Sequence, residues 1–120
     1  PPSARPNSRG NSMTDDEPTG ARQAFGHIAP KLAEVTDKVV FGDIWRRGEL
    51  SPRDRSLITV ACLITGYRTN ELPYHMKTAL NNGVTREELV ETITHLAFYA
   101  GLPCANTAVA IADKVFAELG

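Results

Sequence analysis

Two hydroxyl caps and three glycines divide the second half of this chain into intervals that only short helices fill. Ser51 precedes Pro52, with Asp54 in the following turn: a hydroxyl to accept an amide N–H, a proline where no intrahelical N–H is needed, and an acid beside the positive end of a helix. Thr85 and Glu88 have the spacing of a capping box. Gly66, Gly83 and Gly101 close the intervals, because a residue without a Cβ enters the left-handed conformation that ends a helix at little steric cost. The spacing predicts a helix over 51–66, a second from Thr69-Asn70 through residue 82 with Pro73 in its first turn, a third over 85–100, and a fourth opening at Pro103.

Apolar periodicity agrees. Leu89, Ile93, Leu96, Ala97 and Ala100 share one helical arc, as do Ala105, Ala108, Val109, Ala112, Phe116 and Leu119. The segment LITVACLITG is apolar nearly all round, so it needs enclosure by its own domain or by neighbouring subunits, and Cys62 within it reads as core. Ahead of these, Ile28, Leu32, Val35, Val39 and Val40 keep helical spacing while Pro30 interrupts, which predicts two helical pieces over 21–41. Trp45 is the apolar anchor of the connection over 42–50. No stretch alternates as a strand would, so the expected fold is all-α, with about five or six helices joined by short loops.

Residues 1–12, PPSARPNSRGNS, read as a tag or cloning remnant before a start at Met13, residues 13–20 as a mobile acidic lead-in, and 21–120 as one helical domain. Setting aside Arg5 and Arg9 moves the formal charge from −1 to −3. Such a chain lacks the basic balance that non-specific nucleic-acid binding requires. The apolar run over 57–64 is far short of the ~20 residues that cross a bilayer, and no signal segment opens the chain, so a cytoplasmic location without membrane contact is expected. Two cysteines, Cys62 and Cys104, make neither a disulfide framework nor a CxxC pair, and no metal site is expected.

Glu71 and His75 are four residues apart and therefore neighbours on a helix. A carboxylate beside an imidazole raises its pKa and orients its ring, a useful arrangement for acid–base work near neutral pH. Leu72, Ala79 and Asn82 flank the same sector, which should leave His75 partly buried. Such pairs are common on helices, so the spacing leaves a structural pair and a catalytic one both open. His95 lies opposite its helix's apolar arc, with Glu88, Glu91 and Tyr99, and Phe98 and Tyr99 project there as a second contact surface. Cys104 follows Pro103 at a helix start, where free amides lower a thiol pKa, yet its register also suits packing. His27 reads as a surface residue.

The run FGDIWRRGELSPRDRSLITVACLITG, followed by ELPYHMKTALNNGVTREELVETITHLAFYAGLPCA, closely resembles the carboxymuconolactone decarboxylase family, part of the alkylhydroperoxidase-like superfamily. The similarity extends over roughly residues 28–116, with HMKTALNNGVTREELVE and HLAFYAGLP its most specific segments. It implies an alkylhydroperoxidase-like all-helical fold and a homo-oligomer, a trimer or hexamer, with active sites near subunit contacts. The peroxidase branch carries CxxC before a histidine. With His75 on that histidine, Arg68 and Glu71 stand where the thiols would be, and Ser56 stands where that branch has an acid nineteen residues earlier. These substitutions match the decarboxylase branch.

That branch converts γ-carboxymuconolactone to β-ketoadipate enol-lactone and carbon dioxide in aromatic-compound degradation, with no cofactor. The resemblance therefore implies a protein that holds an anionic lactone, stabilises a developing oxyanion and returns a proton to carbon. His75 oriented by Glu71 is the candidate acid and His95 a second donor. Arg46, Arg53, Arg55 and Arg68, with Tyr99, are candidates for the substrate, although Arg53 and Arg55 also suit salt bridges in their own helical turn. The alternatives are a related lactone-processing enzyme or isomerase in another pathway, or a non-catalytic oligomeric binding or accessory protein. Thiol peroxidase chemistry is disfavoured by the missing CxxC.

Overall fold

The computed structural model describes residues 17–120, so the tag reading of 1–12 and the first half of the lead-in over 13–20 fall outside the described residues. Its elements are helical throughout, with no strand among the described residues. They form two compact units that meet in sequence between Glu49 and Leu50.

The first unit holds α1 (Gly20–Phe25) and α2 (Pro30–Val35), the two pieces expected on either side of Pro30. α2 runs on into a wider π-helical turn, Thr36–Phe41, and a 3₁₀ turn follows at Ile44–Arg46. Asp37 explains how so short a helix as α1 is held. Its carboxylate, 5% exposed, accepts the N–H groups of Ala21 and Arg22 at 2.9 Å each, satisfying amides that a helix start leaves without partners. The buried residues here are the small Ala21 and Ala33, while the apolar stripe of Ile28, Leu32, Val35 and Val39 faces outward. Trp45 is half-buried and packs on Phe41, ring centres 6.0 Å apart.

The second unit packs α3 (Pro52–Thr65), α4 (Leu72–Asn81), α5 (Arg86–Leu96) and α6 (Leu102–Leu119) around one core. α3 and α6 touch each other, and each also touches α4 and α5. Both caps form as the spacing predicts: Ser51 Oγ accepts Asp54 N–H at 3.0 Å, and Thr85 and Glu88 exchange bonds of 3.0 and 2.9 Å. Ala105, Ala108, Ala112 and Val115 form the buried face of α6, which lets neighbouring helices approach closely. Val109 and Leu119 fall off that arc and are about half-exposed, and Phe116 is half-buried beneath the Arg86 guanidinium.

Four boundaries and faces differ from expectation. α3 buries Ser56, Val60 and Ile64; Cys62, about 200° around the helix from Val60, is exposed rather than core. α4 begins at Leu72 with Glu71 at its cap position and no side-chain cap bond, so Thr69 and Asn70 belong to the preceding turn. α5 stops at Leu96 instead of residue 100. There the ladder tightens to i→i+3 bonds, Phe98 N–H to His95 O and Tyr99 N–H to Leu96 O, and Phe98 and Tyr99 lie in a turn rather than on a helix face.

The fourth difference concerns the end of α3. Arg68 N–H bonds Leu63 O at 2.8 Å and Tyr67 N–H bonds Ile64 O at 3.1 Å, a Schellman motif. The left-handed residue is Tyr67, φ 58°, while Gly66 stays right-handed. α4 ends in the same motif with Gly83 at φ 100° in that position, as expected.

Candidate functional site

His75 sits in the second turn of α4, with its helix packed on α3 and α6. It is half-buried, and its ring meets Tyr74 edge-on at 5.1 Å. Glu71 occupies the exposed cap position one turn earlier, where its carbonyl accepts His75 N–H at 3.3 Å. Burial pushes the His75 imidazole below the ordinary histidine pKa, and the Glu71 charge partly opposes this. The spacing alone suggested a raised value. Desolvation reverses the sign because Glu71 sits in water, which screens its charge, while the ring is partly withdrawn from water.

His95, in the last turn of α5, is exposed and stacks on Tyr99 with ring centres 4.8 Å apart. It lines a cavity of about 410 Å³ between α3 and α5, with Leu57, Ile58 and Ala61 on one wall and Glu88, Glu91, Thr92 and Leu96 on the other. Glu71 and His75 are not among those lining residues. The cavity therefore brings His95 together with neither Glu71 nor His75.

The arginines are dispersed. Arg53 bonds Glu88 across the α3–α5 contact and lies 3.4 Å from Asp54, so its charge is engaged within the fold. The Thr85 amide and then Arg53 hold the Glu88 carboxyl below its ordinary range. Arg55 is half-buried in the first turns of α3, and Arg68 is exposed in the turn between α3 and α4, one residue from Tyr67. Arg46 belongs to the 3₁₀ turn of the first unit. Cys104 is half-buried against the core. Among the described residues no three His, Cys, Asp or Glu side chains group as a metal site would, and no helix is long and apolar enough to cross a membrane.

Among the contacts that escaped the sequence reading are two made by hydroxyl groups. Ser56, fully buried, accepts a 3.0 Å hydrogen bond from the Asn82 side-chain amide, and the Tyr67 hydroxyl shares one of 3.1 Å with Thr107 on α6. The pairs are 26 and 40 residues apart, so no local spacing signals them.

The model of the carboxymuconolactone decarboxylase family matches residues 30–114. A 4-carboxymuconolactone decarboxylase of Acinetobacter baylyi is 43% identical over 83 residues, 69% of this chain and 62% of the relative. A nitrosuccinic acid decarboxylase of Metarhizium robertsii is 33% identical over 86 residues, covering 72% of this chain and 60% of the relative. An uncharacterized 15.0 kDa protein of Paracoccus denitrificans is 28% identical over 98 residues, 80% of this chain and 73% of the relative. The chain thus spans about three-fifths of the length of the two decarboxylases, 62% and 60%. A match running from α2 into α6, together with the all-helical architecture, places the chain in the carboxymuconolactone decarboxylase family.

Proposed function

We propose that this chain is a cofactor-independent decarboxylase acting on a small carboxylated lactone or a related carboxylic acid, with His75 as proton donor. The observation that carries the reading is the half-buried His75 imidazole one helical turn from the Glu71 carboxylate, on a chain of this family. Both curated decarboxylases it matches act, by name, on carboxylic acids.

The bond from the ring carbon to the carboxylate breaks, and carbon dioxide leaves. The bonding electron pair passes through the adjacent double bond to the lactone carbonyl, giving a dienolate. The protonated His75 ring then delivers its proton to carbon and regains one from water. Glu71 favours the imidazolium, so it sets the pH at which the donor is loaded. Arg68, exposed in the turn that leads to Glu71, is positioned in sequence to meet a substrate carboxylate. His95 with Tyr99 supplies a second donor group from another surface.

We further infer a cytoplasmic homo-oligomer, trimeric or hexameric, and a single family domain over 21–120. Support for self-association comes from the apolar side chains left in water, Phe98 at 84%, Tyr99 at 78% and Ile58 at 57% exposed.

The test is release of carbon dioxide from a panel of carboxylated lactones and short carboxylic acids by the purified protein. Turnover by the parent and its loss in folded His75→Asn support the reading. No turnover of any member would favour a binding or accessory protein.

A further inference from the structure

The turn between α3 and α4 carries a side chain in the left-handed conformation that helix termination ordinarily gives to glycine. Tyr67 is the only non-glycine residue with positive φ among the described residues, and it holds the left-handed position of the Schellman motif at 58°. Gly83 fills the equivalent position after α4. A glycine at 67 would end α3 equally well, whereas a side chain there carries about a 5- to 30-fold penalty in the local conformational equilibrium. Strain of this kind persists where surrounding contacts require the side chain. The contact here is the hydroxyl, 3.1 Å from Thr107 Oγ1 on α6, with the ring itself more than half exposed.

We propose that the Tyr67–Thr107 hydrogen bond is a clasp that pins the α3–α4 turn to α6 and thereby positions Glu71 against His75. Only three residues separate Tyr67 from Glu71. The Glu71 side chain makes no capping bond, so the placement of its carboxylate follows the backbone of this turn. His75, by contrast, stands on the helical body of α4, which packs on α3 and α6 through Leu72, Met76 and Ala79. The clasp therefore controls one partner of the pair and leaves the other in place. Tyr67 and Thr107 are positioning residues, acting through Glu71. The inference rests on the Glu71–His75 reading above.

Two readouts test it in the full chain: NMR titration of the His75 ring, and kcat and KM for decarboxylation. Tyr67→Phe and Thr107→Val should each move the His75 midpoint to lower pH, as the Glu71 charge becomes less well placed. Each should also lower kcat by about 3- to 10-fold with KM within about twofold, milder than the ~100-fold of a 1 Å misplacement. The double variant should be no worse than either single one, and Thr107→Ser should behave as the parent. Lys77→Met provides the contrast, since it removes another tie between α4 and α6, to Glu118 at 3.1 Å, without touching the turn. An unmoved His75 midpoint in folded Tyr67→Phe or Thr107→Val overturns the clasp, as does an equal shift in Lys77→Met. A parent that decarboxylates nothing sinks the enzymatic reading, while the titration still decides the clasp.

Discussion

The Asn82 side-chain amide donates a 3.0 Å hydrogen bond to the fully buried hydroxyl of Ser56, tying the end of α4 to the second turn of α3. By the resemblance drawn from the sequence, Ser56 stands where the peroxidase branch of the superfamily would carry an acid. A hydroxyl is neutral, so it is buried here with one amide partner, where a carboxylate would need charge compensation as well. Ser56→Ala should cost about 1 kcal/mol in urea unfolding, because Asn82 loses its acceptor while remaining partly open to water. Ser56→Ala combined with Asn82→Ala should cost less than the two changes summed. Strict additivity would show that the bond contributes nothing.

His75→Asn should lower decarboxylation by roughly 10²- to 10⁴-fold with the far-UV spectrum and unfolding midpoint nearly unchanged, the range expected for loss of a general acid. Full activity in the folded variant would move the role to His95, whose own replacement by Asn is the companion measurement.

The lowered His75 pKa has a defined sign in a rate profile. A donor must be protonated, so kcat/KM should fall as pH rises through a midpoint below the ordinary histidine value of 6.5. Glu71→Gln removes the charge that favours the imidazolium and should move that fall to still lower pH. A bound anionic substrate opposes the effect of burial, so the kcat profile should lie at higher pH than that of kcat/KM. For stability the direction is the same one: folding favours the neutral ring. His75 contributes stability that is complete above 6.5 and is lost as pH falls through its lower folded value, which unfolding between pH 7 and pH 5 measures.

At the end of α3, Tyr67→Gly should be more stable than Tyr67→Ala by about 1 kcal/mol, since both lose the hydroxyl and only alanine retains the cost of positive φ. Equal stabilities would mean that the turn relaxes out of the left-handed region.

Sedimentation at micromolar concentration should find a trimer or hexamer. Phe98→Ser, which removes the most exposed large apolar side chain among the described residues, should weaken association without unfolding the chain. A monomer across that range would leave the exposed apolar side chains of α3 and of the 97–100 turn without a role in assembly.

Local chemistry was sufficient for the helices themselves. Ser51, Thr85 with Glu88, Pro52 and Gly83 act through bonds and torsions within a few residues, and their signals are read directly from the chain. The place of Glu71 one helical turn before His75 was legible for the same reason, that turn being a local distance. What tertiary structure decided are the quantities set by partners far along the chain. Burial by neighbouring helices reversed the sign of the His75 shift. The angular position of the packing partners left Cys62 in water within a helix that is apolar on nearly every side. A hydroxyl on α6, 40 residues away, accompanies a left-handed tyrosine beside a glycine that local propensity favours for the part. Torsional preference acts between adjacent residues, whereas desolvation and long-range hydrogen bonds depend on which surfaces meet, and only the folded chain specifies that.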